Sequence, residues 1–119
     1  ADTAAAFALH GRYFLGPIVG ITDGAEREAW LAGLANFEMV LSRDGGEIDR
    51  GQGVNVLDGP VSALLHFIRG LDQVSGERLK PGDIVTTGTV TRAFPVAAGE
   101  TWQSAVIGLP LKGLTLTIA

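Results

Sequence analysis

Thr87-Gly88-Thr89 sets two hydroxyls on either side of a residue with no side chain. Glycine in an extended segment often marks a place where a ligand or another backbone comes close. Read physically, the stretch is a small polar pocket wall between two strands, with its backbone exposed. The same three residues also suit an ordinary β-turn with surface threonines, and composition alone leaves both readings open. The other candidate groups are weaker. Glu26-Arg27-Glu28 has the spacing of a carboxylate pair. On a helix, however, residues two apart point roughly 200° from each other and cannot share a metal. Asp44, Glu47 and Asp49 gather around a turn, where carboxylates ordinarily serve solvation and turn chemistry. The two histidines are His10, beside a break at Gly11 where it could line a site, and His66, near the edge of a helical apolar face. Lys80 falls in a turn and reads as solvated.

The elements that must position Thr87–Thr89 can be read on both sides. Lys80-Pro81-Gly82-Asp83 has proline and glycine where a type II turn wants them. Ile84-Val85-Thr86 then reads as a short strand, and Ala97-Ala98-Gly99-Glu100 as a second turn leading to a strand over Trp102–Ile107. Upstream, Val61, Leu64, Leu65, Ile68 and Leu71 repeat at helical spacing. Asp58 can cap that helix, Pro60 suits its first turn and Gly76 can end it. Earlier still, Tyr13–Leu15 reads as a short strand. Asp23 can cap one or two helical turns over Glu26–Leu34. Phe37–Ser42, the turn signal Asp44-Gly45-Gly46-Glu47 and Ile48–Arg50 read as a hairpin. Leu114, Leu116 and Ile118 alternate with threonines in a closing strand. The expected fold is β-rich α+β with one main helix.

The chain's 119 residues suit one domain over 1–119. Its net charge of -4 argues against a nucleic-acid or anionic-membrane partner, either of which favours a basic face. No apolar run approaches the ~18 residues of a membrane span. Ala1–Ala8 lacks the basic start and apolar core of a signal peptide. The absence of cysteine excludes disulfides and thiolate metal sites and is compatible with a reducing cytoplasm. The hydrophobic set reaches 46% before 17 glycines are added, above the ~45–50% usual for a set that includes glycine. That surplus suits either burial against a partner chain, such as a homo-oligomer, or a compact Gly- and Ala-rich domain.

From about Asn55 to Ile118 the chain resembles the C-terminal part of the 2-keto-4-pentenoate hydratase and 4-oxalocrotonate decarboxylase family, within the fumarylacetoacetate hydrolase superfamily. The features that carry the resemblance are Leu57-x-x-Pro60 at the helix start, Leu79-x-x-Gly82-Asp83-x-Val85-x-Thr87-Gly88, Gly99-Glu100-Thr101 and the terminal strand after Gly113-Leu114. Each is weak alone; together and in order they are fairly specific. Ala1–Gly16 is more faintly similar. The resemblance implies a mixed β-roll with a packed helix, and a loop leading to a strand where Glu26–Leu34 reads as helical. It implies a lyase acting on 2-keto or 2-hydroxydienoic acids from aromatic-compound breakdown. In that family Mg²⁺ or Mn²⁺ chelates the keto acid and stabilises an enolate as a proton moves. The family's ligands, a Glu-x-Glu pair and a further acid, and its assisting Lys lie N-terminal to the matched part and have no counterpart here. The resemblance therefore assigns this chain no catalytic residue and no metal ligand. It does carry over Thr87, Gly88 and Thr89, with Asn55 and Leu57 at the helix entry, as substrate-side residues. Gly59 stands where the family often has Asn, Ser or His, and Thr3 replaces the Asn that follows Asp2 in the family. Three readings follow. The chain works with a complementary N-terminal segment, on its own polypeptide or a partner; it is a non-catalytic relative used for assembly or small-acid binding; or it is a stand-alone enzyme with a rearranged site.

Overall fold

The computed structural model describes residues 12–74 and 76–119. His10, Asp2 and Thr3 lie outside them. Helix α1 (Gly24–Asn36) is followed by strand β1 (Glu38–Arg43), strand β2 (Gly46–Gln52), a 3-10 turn (Gly53–Asn55), helix α2 (Pro60–Val74), and strands β3 (Thr101–Ile107) and β4 (Thr115–Thr117). The four strands form one sheet in the order β2-β1-β3-β4, antiparallel throughout. The fold is thus α+β, with two helices of 13 and 15 residues in place of the single main helix expected.

α1 forms because its start is doubly capped. The Asp23 carboxylate accepts the Glu26 N–H at 2.7 Å, and the Glu26 carboxylate accepts the N–H and hydroxyl of Thr22 at 3.1 and 3.2 Å. This reciprocal arrangement satisfies donors that a helix start leaves unpaired. It also replaces the loop that the family resemblance implied here. The β1–β2 hairpin turns at Asp44 and Gly45, with φ of 51° and 82°. Two left-handed residues are the signature of a tight type I′ turn. The register passes from Leu41↔Asp49 to Ser42↔Glu47, so Ile48 is bulged out of the ladder.

Two expected strands are absent. Tyr13–Leu15 and Ile84–Thr86 carry no ladder, although the turn before the latter forms as read, with Gly82 at φ 95° and the Asp83 N–H donating to the Lys80 carbonyl at 3.0 Å. An apolar stretch becomes a strand only where a neighbour pairs its backbone groups, and no strand pairs with either segment. The closing strand is shorter than read, Thr115–Thr117. α2 begins at Pro60 as expected, but its cap is Gly59, whose carbonyl accepts the Ala63 N–H at 3.0 Å, rather than Asp58. Gly76 closes the far end with φ 68°, its N–H donating to the Leu71 carbonyl at 3.1 Å.

The core is small. Phe37, Val56, Ala63 and Trp102 are the buried hydrophobic residues among those described. Trp102 is held from several sides: Phe94 lies 6.2 Å away between ring centroids, the Arg43 guanidinium sits 5.7 Å over its ring, and its indole N–H donates to Glu100 at 3.0 Å. α2's expected core stripe is not a core stripe, since Val61, Leu65 and Ile68 stay well exposed and only Ala63 of that helix is buried.

Candidate functional site

The segments on either side of α2 come together. The outer edge of β2 is not left bare, because the 90–92 segment runs along it. The Asp49 carboxylate accepts the Arg92 N–H at 2.8 Å, and a Cβ on Gly51 would collide with the Val90 backbone. That contact brings the 87–90 segment beside the 3-10 turn. The Asn55 side-chain amide then donates to the Val90 carbonyl at 3.4 Å. One residue on, buried Val56 fills the space beside Gly88. Gly88 has φ 135°, and a Cβ there would stand 3.0 Å from Val56 Cγ1. Glycine is therefore required at position 88 by conformation and by packing together.

Between α2 and the 83–87 segment lies an open groove of about 640 Å³. Its walls include Leu57, Ala63, His66, Phe67, Thr86 and Thr87. The lining is mostly apolar with a few hydroxyls, an imidazole and the Asp83 carboxylate, a balance suited to a small ligand with an apolar body and a polar end. At its head the backbone takes an unusual path. Leu57 and Asp58 both have left-handed conformations, with φ of 47° and 62°, ahead of Gly59 at 118°. Such residues are costly and tend to gather at functional sites.

The five residues read as substrate-side fall into three roles. Leu57 and Thr87 line the groove. Asn55 and Gly88 hold the two segments together behind it. Thr89 is exposed and does not line the groove. His66, Phe67 and Thr86 were not among the residues singled out for the site, yet they line it too. His66 sits with Ala63, Phe67 and Gly70 at a 3-1-3 spacing beside the main apolar stripe of α2. That spacing was a signal available in the sequence.

Of the acidic candidates, Glu26, Asp44, Glu47 and Asp49 are engaged in holding the fold, while Glu28 is exposed on α1. Glu26 caps α1, and Thr22, through its N–H and then its hydroxyl, keeps the Glu26 carboxyl below its ordinary pKa. Glu47 and Glu38 both bind Arg50, which lowers the Glu47 pKa and raises that of Arg50. Asp44 accepts the Thr101 N–H at 2.9 Å. Asp49 is held below its ordinary value chiefly by the Arg92 N–H. Mg²⁺ or Mn²⁺ requires several convergent hard oxygen ligands. Among the described residues no group of three His, Cys, Asp or Glu side chains could hold a metal ion. The donor set described here does not fit the family's metal.

No family model matches the chain. It is 31% identical over 109 residues to the TodF product hydratase of Pseudomonas putida strain F1, covering 91% of this chain and 37% of the hydratase. Among solved structures, 4-oxalocrotonate decarboxylase from Pseudomonas putida G7, complexed with magnesium and adipate, matches with a TM-score of 0.67 and 26% identity. That match covers 73% of this chain and 32% of the decarboxylase. The same enzyme complexed with calcium and acetate matches equally. The chain therefore spans about a third of the length of the relatives it matches. The resemblance to the hydratases and decarboxylases, read from Asn55 to Ile118, is borne out. No helix among the described residues is long and apolar enough to cross a membrane.

Proposed function

We propose that this chain forms the substrate-side part of a hydratase- or decarboxylase-like lyase acting on a small 2-keto or 2-hydroxydienoic acid, in a mixed β-roll completed by a segment supplied from elsewhere. The observation that carries the reading is the convergence of the Asn55–Leu57 and Thr87–Gly88 segments, both singled out by the resemblance, at one groove. The structures of 4-oxalocrotonate decarboxylase hold a divalent metal together with a small carboxylic acid, magnesium with adipate or calcium with acetate. A metal in such an enzyme would stabilise negative charge on the substrate's oxygens. Its ligands would come from the completing segment, because among the described residues no three His, Cys, Asp or Glu side chains converge on a metal-sized site. This chain's own part is to bind and orient the acid. The Thr87 and Thr86 hydroxyls hydrogen-bond its polar end. Leu57 and Phe67 cover its apolar body and exclude water. Such an enzyme acts in the cytoplasm on aromatic breakdown products.

The test is a chimera in which this chain replaces the matched stretch of the TodF product hydratase. The chimera should consume the TodF product in a Mg²⁺- or Mn²⁺-dependent manner. Thr87→Val should lower kcat/KM by about tenfold, the loss of one hydrogen bond to a charged group. A folded chimera that binds oxalate but never turns over would instead favour a small-acid-binding module without catalysis.

A further inference from the structure

α2 carries apolar residues around too much of its circumference for one partner. At 100° per residue, Ala63, Phe67, Leu71, Leu64, Ile68, Val61 and Leu65 sweep an arc of roughly 200°. An ordinary surface helix needs a stripe little over ~100° wide. The Ala63 side of this arc faces the chain's own groove and core. The other side, Val61, Leu65 and Ile68 at i, i+4 and i+7, is 37%, 45% and 41% exposed. Leu57, Phe67, Leu79 and Ile84 extend the uncovered surface along the walls of the groove.

We infer that this face of α2 is the seat of the completing segment, the counterpart of the two thirds of the hydratase chain that this chain does not span. The inference rests on the proposed function and adds where the segment docks. Its occupant is argued from length. The relatives carry the matched stretch within chains about three times as long, so a chain of their kind has ample polypeptide to cover the second half of the arc.

The experiment compares Leu65→Glu/Ile68→Glu in two settings: the 119-residue chain and the hydratase chimera. In the chain alone these side chains stand partly in water, and the double substitution should leave the circular dichroism and melting temperature unchanged. In the chimera it should bury two carboxylates and lower the melting temperature by about 10 °C. Gln73→Glu, on the polar side of α2, should change neither. The inference is overturned if the chimera fails to fold, if it tolerates the pair, or if the pair unfolds the isolated chain. It is equally overturned if the isolated chain is a dimer that the pair dissociates, because the occupant is then a second copy. A chimera that folds, responds to the pair and yet leaves the TodF product untouched upholds the docking face and refutes the lyase reading.

Discussion

Gly88 is the residue at which conformation and packing meet. Its left-handed φ excludes ordinary side chains, and Val56 occupies the space a Cβ would need. Gly88→Ala should therefore destabilise the chain by about 1–3 kcal/mol, read as a lower urea midpoint at unchanged slope. Glu100 is the corresponding polar residue. It accepts from the Ala97 N–H at 2.8 Å, from the Trp102 indole at 3.0 Å and from Arg43 at 3.2 Å. Those contacts, the Ala97 N–H first, hold its pKa below the ordinary value. Glu26, Glu47 and Asp49 are lowered as well. A carboxyl with a depressed folded pKa contributes stability that is fully present above its unfolded value and lost as pH falls through the folded one. The urea midpoint should therefore be level from pH 7 down to about 5.5 and fall below about 4.5. Glu100→Gln should lower the plateau and flatten part of the acid limb. Salt should shrink the part of the effect due to exposed Glu26 and Glu47 more than that due to half-buried Asp49 and Glu100.

At the scale of elements, α1 depends on its cap. Asp23→Ala removes the acceptor of the Glu26 N–H and should cost about 1 kcal/mol, measured as a loss of helical signal and a lower melting temperature. The cost should fall on α1 first, since α1 buries none of its own residues and, among the described elements, packs chiefly on α2 and the 3-10 turn. The hairpin is better secured. Its turn is tied to β3 by paired bonds between Asp44 and Thr101, at 2.8 and 2.9 Å. The sheet and its hairpin thus form the firm part of the chain, and the two helices the part that awaits further packing.

For the whole molecule, the balance of surfaces is the informative quantity. Four hydrophobic residues are buried among those described, against eighteen large hydrophobic residues left exposed. Scattered exposed apolar side chains are normal, but clustered ones mark interaction surfaces. The isolated chain should bind a hydrophobic dye such as ANS strongly. The chimera with the hydratase should bind it weakly, because docking covers the face of α2. Similar dye binding by both would mean that the exposed set serves another purpose.

The sequence by itself determined the hairpin, α2, the β3 strand and the turn at Lys80–Asp83, because each depends on local chemistry: an Asp-Gly pair, a helical apolar period, an extended run after the Ala97–Glu100 turn, a Pro-Gly step. It also singled out the two stretches that meet at the groove. It could not decide that Ile84–Thr86 would stay unpaired, since a strand needs a partner and the partner is a matter of topology. Nor could it separate the two halves of α2's apolar arc. Periodicity marks which residues avoid water, while only the tertiary packing shows that Ala63 is covered and that Val61, Leu65 and Ile68 are not. Likewise, the roles of Asn55 and Gly88 behind the groove, rather than in it, follow from long-range contacts to Val90 and Val56. Neither contact has a local signature in the chain.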